Sequence, residues 1–322
     1  ESRGLGDVYK RQKQKNITEE CRSNLQDIAY RARERGIKVI DEQLWEKENG
    51  RWQLVMKVMV KDGCVTTREL TKAVAGALNR RMIPEKDTKT LIGKGVNLYT
   101  YEEEPRFQAI YGVARMVKDG AAVSGDNFSF LEPESGKMVM CLSDGMGSGS
   151  LACKESEMVI ELVEKFLEAG FDVETAARMM NSAMVMKGQE DLFSTVDISE
   201  LDLYDGTCRF YKIGAAATFI RRNGIVECLI STSLPVGVSY KLDMEKSEKD
   251  LYNGDFLVMV SDGVLEYLHV PNPEETMQEI IESIETNNAT ILAKRILERV
   301  LLFTGGKAAD DMTVLATAIW EK

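Results

Sequence analysis

The chain has 322 residues, 44% hydrophobic and 29% charged, with a formal net charge of −11 and a pI near 5.0. That length suits one large domain or two smaller ones with well-filled cores, and the acidic balance excludes a duplex nucleic-acid surface, which needs a basic face to release counterions. The longest apolar runs fall far short of a bilayer span, and six cysteines without a C-x-x-C pair read as reduced thiols of a cytoplasmic protein.

Residues 1–12 carry neither a helical nor a strand period and read as a non-native tail to be left out of the fold. Residues 13–49 are predicted as helix, because Ile17, Cys21, Leu25, Ile28 and Ala32 recur at helical spacing and Gly36 is a stop signal. A strand is expected at 52–60, an amphipathic helix at 67–81 with Leu70, Val74, Ala77 and Leu78 on one face, and a further strand at 90–101. Residues 13–104 thus read as an N-terminal helix and a small α/β region with a regulatory or linking role.

The remainder, 105–322, carries predicted strands at 127–131, 137–142, 194–204, 207–214, 218–222, 225–230, 255–260 and 313–320. Tyr204-Asp205-Gly206-Thr207 and Arg222-Asn223-Gly224 are hairpin signals. Helices are expected as two pairs, 151–169 with 173–187, and 273–284 with 289–303. Strands in meanders with helices grouped in pairs argue for an α+β fold, a two-sheet β-sandwich flanked by helix pairs with a small N-terminal α/β extension.

Ser-Asp-Gly occurs twice, at Ser143-Asp144-Gly145 and Ser261-Asp262-Gly263, each time closing an apolar run. Asp126 lies upstream in Ser124-Gly125-Asp126-Asn127, and Asp310-Asp311-Met312-Thr313 leads into the last apolar stretch. Asp126, Asp144, Asp262 and Asp310 each fall at a predicted strand end. Brought together, four carboxylates repel and raise one another's pKa values unless a cation offsets them, so the set suits one or two hard divalent ions. The glycine after Asp144 would let a backbone carbonyl approach such an ion without a Cβ in the way. Any single Asp-Gly is better read as a turn; four aspartates together, two in the same context, point to a metal site.

Other chemistries are excluded or weaker. One histidine, His269, leaves little room for zinc, Ser-His-Asp or Cys-His chemistry. No G-x-x-x-x-G-K-[ST] occurs, and Asp144-Gly145-Met146-Gly147-Ser148-Gly149 has neither dinucleotide nor Walker spacing. The methionine-rich stretch 179–186 reads as core.

From about residue 106 onward the chain resembles the metal-dependent type 2C protein phosphatases, and within them the sporulation branch found in endospore-forming bacteria. The stretches that carry the resemblance are Val123-Ser124-Gly125-Asp126, Leu142-Ser143-Asp144-Gly145-Met146-Gly147-Ser148-Gly149, Phe193-Ser194-Thr195-Val196-Asp197, Ser233-Leu234-Pro235-Val236-Gly237, Met259-Val260-Ser261-Asp262-Gly263 and Asp310-Asp311-Met312-Thr313. The resemblance implies two Mn²⁺ or Mg²⁺ ions bridged by Asp144, one held further by Asp262 and Asp310, the other by Asp126 and the Gly145 carbonyl. Asp126, Asp144, Asp262 and Asp310 would then be the catalytic set, with an activated water as nucleophile. Asp311 stands where many relatives carry Asn. Met146 stands where many eukaryotic relatives have a histidine suited to protonating the leaving group, so water or another residue must do so here, or turnover is slow.

The substrate implied is a phosphorylated anti-sigma-factor antagonist, whose dephosphorylation releases a sigma factor during sporulation. The resemblance also implies a cytoplasmic location and a parent protein attached to the cell membrane through a missing N-terminal region. This chain itself is expected to make no membrane or nucleic-acid contact, with a homodimer as one assembly open to it. A shift of the 151–187 helix pair, which begins just after Asp144, would move a metal ligand and so switch activity. Two other readings compete: a catalytically silent or locked partner-binding module of the same fold, and an enzyme acting on small phosphoesters.

Overall fold

Strands buried on both faces, with successive side chains pointing to opposite layers, organise the larger part of the molecule. The structure, a computed structural model, describes residues 14–47, 50–85, 88–134, 136–146, 149–186, 193–308 and 310–322. The tail at 1–12, and Gly147-Ser148 of the glycine-rich stretch, lie outside the described residues. The chain divides into two compact units, Glu1–Glu104 and Pro105–Lys322.

The first unit carries strands β1 (Gln14–Asn16), β2 (Ile37–Lys47), β3 (Trp52–Val60), β4 (Val65–Thr66), β5 (Met82–Pro84), β6 (Leu91–Ile92) and β7 (Asn97–Glu103), with helices α1 (Arg22–Glu34) and α2 (Thr67–Leu78). Its main sheet runs β1-β2-β3-β7-β5, antiparallel throughout. Leu25, Ile28 and Ala32 of α1 and Leu70 and Val74 of α2 form one core with Leu54, Met56, Val58 and Tyr101 of the sheet. The helix expected to reach residue 49 stops at Glu34. Gly36 adopts φ +76° and the chain turns into β2, whose pairing with β3 overrides the helical propensity of Glu42, Gln43 and Leu44. The strand expected at 90–101 is two strands, β6 and β7, separated at Gly95 with φ +94°.

The second unit carries β8 (Phe107–Met116), β9 (Asp126–Glu134), β10 (Lys137–Gly145), β11 (Ser194–Asp202), β12 (Thr207–Ile213), β13 (Thr218–Arg222), β14 (Ile225–Leu229), β15 (Glu245–Asp250), β16 (Phe256–Val260) and β17 (Met312–Glu321). Its helices are α3 (Ser150–Glu168), α4 (Val173–Met186), α5 (Asp262–Glu266), α6 (Pro273–Glu282) and α7 (Ala289–Phe303). Two five-stranded antiparallel sheets form, β15-β12-β11-β10-β9 and β14-β13-β16-β17-β8.

On β10, Met138, Met140 and Leu142 face the interior between the sheets, with Phe210, Leu257, Met259 and Leu315. The alternate residues Val139 and Cys141 face the other way, under Val159 and Val163 of α3 and Met180 of α4. Likewise Phe256, Val258 and Val260 of β16 pack beneath Met277 of α6 and Leu292 and Ile296 of α7. The result is a four-layer α-β-β-α sandwich. Strands covered on both faces read as unbroken apolar runs, and each large side chain so buried contributes about 1.5–3 kcal/mol. Gly112 lets α7 approach: a Cβ there would lie 2.3 Å from the Thr290 backbone. Among the described residues no helix is long and apolar enough to cross a membrane.

Candidate metal centre

The inner face of β10 continues past Leu142 to Asp144, so alternation alone turns this carboxylate into the gap between the sheets. Register sets its neighbours: Asp144 stands opposite Asp126 on β9 and opposite Thr195 on β11. In the facing sheet β16 ends at Val260, and Asp262 opens α5 after an extended Ser261. Asp310 and Asp311 precede β17. Gly263 fixes how close these segments come, because a Cβ on it would lie 2.2 Å from the Asp311 carbonyl oxygen.

Asp126 is fully buried. The Thr313 hydroxyl donates to its Oδ2 at 2.6 Å, the Ser124 hydroxyl accepts from its amide at 3.1 Å, and Arg115 donates to its carbonyl at 2.6 Å. Its Oδ1 is buried without a hydrogen-bond partner. Asp311, also buried, accepts from the amides of Lys118 at 2.9 Å and Gly125 at 2.7 Å. These two bonds tie down the turn that delivers Asp126 and give Asp311 a positioning task. Asp310 Oδ1 accepts from the Asp311 amide at 2.9 Å and has the Lys118 ammonium 3.8 Å away. Helix α3 is fastened to the same turn: the Ser156 hydroxyl donates to the Gly125 carbonyl at 2.5 Å and Asn127 Nδ2 donates to Ser156 Oγ at 2.8 Å.

Electrostatics join the four aspartates. Burial pushes the Asp144 carboxyl up to about 9, helped by the charges of Asp126, Asp262 and Asp310. Asp262 is pushed up to about 6, chiefly by burial, then by Glu266 and Asp126. Asp126 is raised by burial, against the hydrogen bond from Thr313. A cation would offset this repulsion.

The residues present fit a divalent ion: all donors are oxygens, one buried carboxylate oxygen lacks a protein partner, and a glycine carbonyl adjoins Asp144. Among the described residues no three Asp, Glu, His or Cys side chains form a ready-made cage.

All four aspartates chosen from sequence therefore sit at one end of the sandwich or within its field. His269 is exposed on the turn after α5 with φ 51°. Sequence reasoning missed Thr313 as the partner of Asp126, and Ser261, whose hydroxyl accepts from the Thr313 amide. It also missed Lys212, buried at 3% exposure, whose signal was a charge on the inner-face series Cys208, Phe210, Lys212 of β12.

The raised carboxyls set a sign for pH. Between the ordinary 3.8 and about 9 the metal-free folded state holds Asp144 protonated, whereas the unfolded state does not. The native state binds more protons, so stability falls as pH rises through that window. In EDTA the melting temperature is expected to drop between pH 5 and pH 9, and Mn²⁺ is expected to abolish much of that drop; a melting temperature rising with pH in EDTA would contradict the repulsion.

The family model of stage II sporulation protein E matches residues 134–319, a span that takes in Asp144, Asp262 and Asp310 and begins after Asp126. Stage II sporulation protein E of Bacillus subtilis is 29% identical over 285 residues, covering 88% of this chain and 34% of that protein; the chain thus spans about a third of that relative's length. The solved PP2C phosphatase domain of the cell fate determinant SpoIIE of Bacillus subtilis, with a fragment of its regulatory domain, superposes with a TM-score of 0.70 at 27% identity, covering 94% of this chain and 89% of that one. RsbX, solved in complex with magnesium, shares the fold at a TM-score of 0.51 and 21% identity, covering 68% of this chain and 98% of that one.

Proposed function

The chain belongs to the stage II sporulation protein E family, and from that premise we propose that it is a metal-dependent serine/threonine protein phosphatase. Its substrate is a small phosphorylated anti-sigma-factor antagonist, its place of action the cytoplasm, and its effect the activation of a sigma factor during sporulation. The observation that carries this reading is the meeting of Asp126 and Asp144 in register, in the field of Asp262 and Asp310, with a buried Asp126 oxygen lacking any protein partner.

Asp126, Asp144, the Gly145 carbonyl, Asp262 and Asp310 would hold two Mn²⁺ or Mg²⁺ ions. Bound there, the ions supply an activated water and neutralise charge on the phosphoryl oxygens during in-line displacement. The chain's own part is to fix the carboxylates. Thr313 orients Asp126 and is itself held by its amide's bond to Ser261 Oγ, Asp311 holds the turn that precedes Asp126, and α5 presents Asp262. Met146 is exposed and has no proton to give, so the leaving oxygen takes its proton from solvent and turnover is slow.

A silent or locked module of the same fold draws support from one observation, the absence of a ready-made three-residue cage among the described residues. Phosphate release from a serine-phosphorylated antagonist, measured with Mn²⁺ and with EDTA, separates the readings. Release that needs Mn²⁺, and is faster on the protein than on free phosphoserine, is expected. Tight binding of the antagonist without release at any metal concentration would establish the silent module instead.

A further inference from the structure

A lysine inside the sandwich has no place in the metal chemistry described above. Lys212 lies on the inner face of β12, in line with Cys208 and Phe210 of the apolar interior, and is buried at 3% exposure. Its ammonium donates to Asp197 Oδ2 at 2.5 Å, to Thr218 Oγ1 at 2.9 Å and to the Ala216 carbonyl at 2.6 Å. An ammonium has three protons to donate, and here each has an acceptor. The Thr218 hydroxyl donates in turn to Asp197 Oδ2 at 2.5 Å. Asp197 stands directly opposite Lys212 on β11 and is itself 1% exposed.

Burying such a pair carries a desolvation penalty that well-packed apolar residues would avoid, so stability alone is a poor reason for it. What the pair holds is the crossing 214–217, which leads from β12 in one sheet to β13 in the other. Thr218, bonded to the Lys212 ammonium, is the first residue of β13 and pairs with Met259 at the end of β16, three residues before Asp262. The crossing is also anchored independently of Lys212's side chain: the Gly214 amide donates to Ser233 Oγ at 3.0 Å, and the Ser233 hydroxyl donates to the Lys212 carbonyl at 3.0 Å.

We propose that Lys212 is a positioning residue which, through its bond to the Ala216 carbonyl, holds the crossing 214–217 beside the end of β16 that leads into Asp262 and so sets the affinity of the metal centre. The inference rests on the metal-site reading of Asp262. Asp197 and Thr218 are the counterparts that make a buried ammonium tolerable; Ala216 is the contact that transmits its position.

The test is Mn²⁺ binding by titration calorimetry, beside thermal melting in EDTA, on three variants of the full chain. The double variant Lys212→Met with Asp197→Leu removes both charges together, so no lone buried charge remains. Its Mn²⁺ affinity is expected to fall about tenfold, the scale typical of losing a group that orients a ligand, with cooperative melting retained. Asp197→Asn alone keeps the Lys212–Ala216 bond, and its affinity is expected within about twofold of wild type even where its melting temperature falls. Lys212→Arg keeps the charge against Asp197 but puts a planar fork where three divergent donors are needed; a several-fold loss of affinity is expected, and this variant decides the matter if the double variant does not fold. Wild-type affinity in a folded double variant or in Lys212→Arg would overturn the proposal, as would an affinity that tracks melting temperature across all three. A wild-type chain that binds no Mn²⁺ would overturn the metal reading itself, and the positioning role with it.

Discussion

Replacing Asp144 by asparagine is expected to abolish Mn²⁺-dependent phosphate release, by more than about a hundredfold, while leaving the fold intact or more stable in EDTA. Direct ligands outrank the orienting groups whose loss already costs 10–100-fold, and Asp144 is the carboxylate on which the charges of the other three converge. It pairs with Asp126 and carries the charges of Asp126, Asp262 and Asp310 against it. The stability half follows from the same observation. An asparagine cannot ionise, so it keeps the uncharged form that the metal-free protein already prefers and loses the repulsion that grows with pH. The melting temperature of the variant in EDTA should equal wild type near pH 4, below the window in which the unfolded Asp144 ionises, and exceed it by a growing margin at pH 6 and pH 9, by a few degrees for each kcal/mol of repulsion removed. Phosphate release and melting curves on one preparation check both halves. A variant that loses activity and also melts far lower in EDTA at pH 9 would show Asp144 to be a structural partner, not a strained ligand.

Much of the fold was legible because both faces of the sandwich strands are covered. β16 and the inner part of β10 are unbroken apolar runs, a signal that needs no knowledge of their partners. Where burial is one-sided or absent the signal fails. β15 is Glu245–Asp250, alternating charge in an edge position; its charges discourage pairing with another chain and leave nothing apolar to read. β2 reads as helix in isolation because Asp41, Glu42, Gln43 and Leu44 interrupt its strand-forming Ile37, Val39, Ile40 and Trp45, and its pairing with β3 is decided outside its own sequence. The short α5 was missed for a related reason, since five residues carry no period.

The site was legible in its ligands and not in their supports. Aspartates at strand ends beside glycine can be recognised one by one, since the residue type and the turn mark them. Asp311 was left without a role because its task, accepting two amides from the turn before Asp126, joins positions nearly two hundred residues apart. Lys212 and Asp197 are opposite one another only once β11 and β12 are in register. Register is a property of the sheet and is written in no single strand.

Gly145→Ala is the second substitution with a large expected effect, and it separates packing from charge. A Cβ at Gly145 would lie 2.2 Å from the carbonyl oxygen of Ala152 and 2.8 Å from its carbonyl carbon. Both are backbone atoms in the first turns of α3, so no flexible side chain can give way, and the helix must move roughly an ångström to restore ordinary contact. That helix is bonded through Ser156 to the Gly125 carbonyl and to Asn127, the two neighbours of Asp126. A displaced α3 therefore pulls on Asp126 while the added methyl crowds the carbonyl proposed to hold an ion. The expected outcome is a destabilisation of about 1–3 kcal/mol together with at least a tenfold loss of Mn²⁺ affinity by calorimetry. Gly93→Ala, where an added Cβ meets nothing within 4 Å, serves as the control and should leave metal affinity unchanged. If Gly145→Ala binds Mn²⁺ as wild type does and merely melts lower, the coupling between α3 and the carboxylates is absent. The helix would then be a cover on the sheet, and the metal centre would owe its geometry to the two sheets alone.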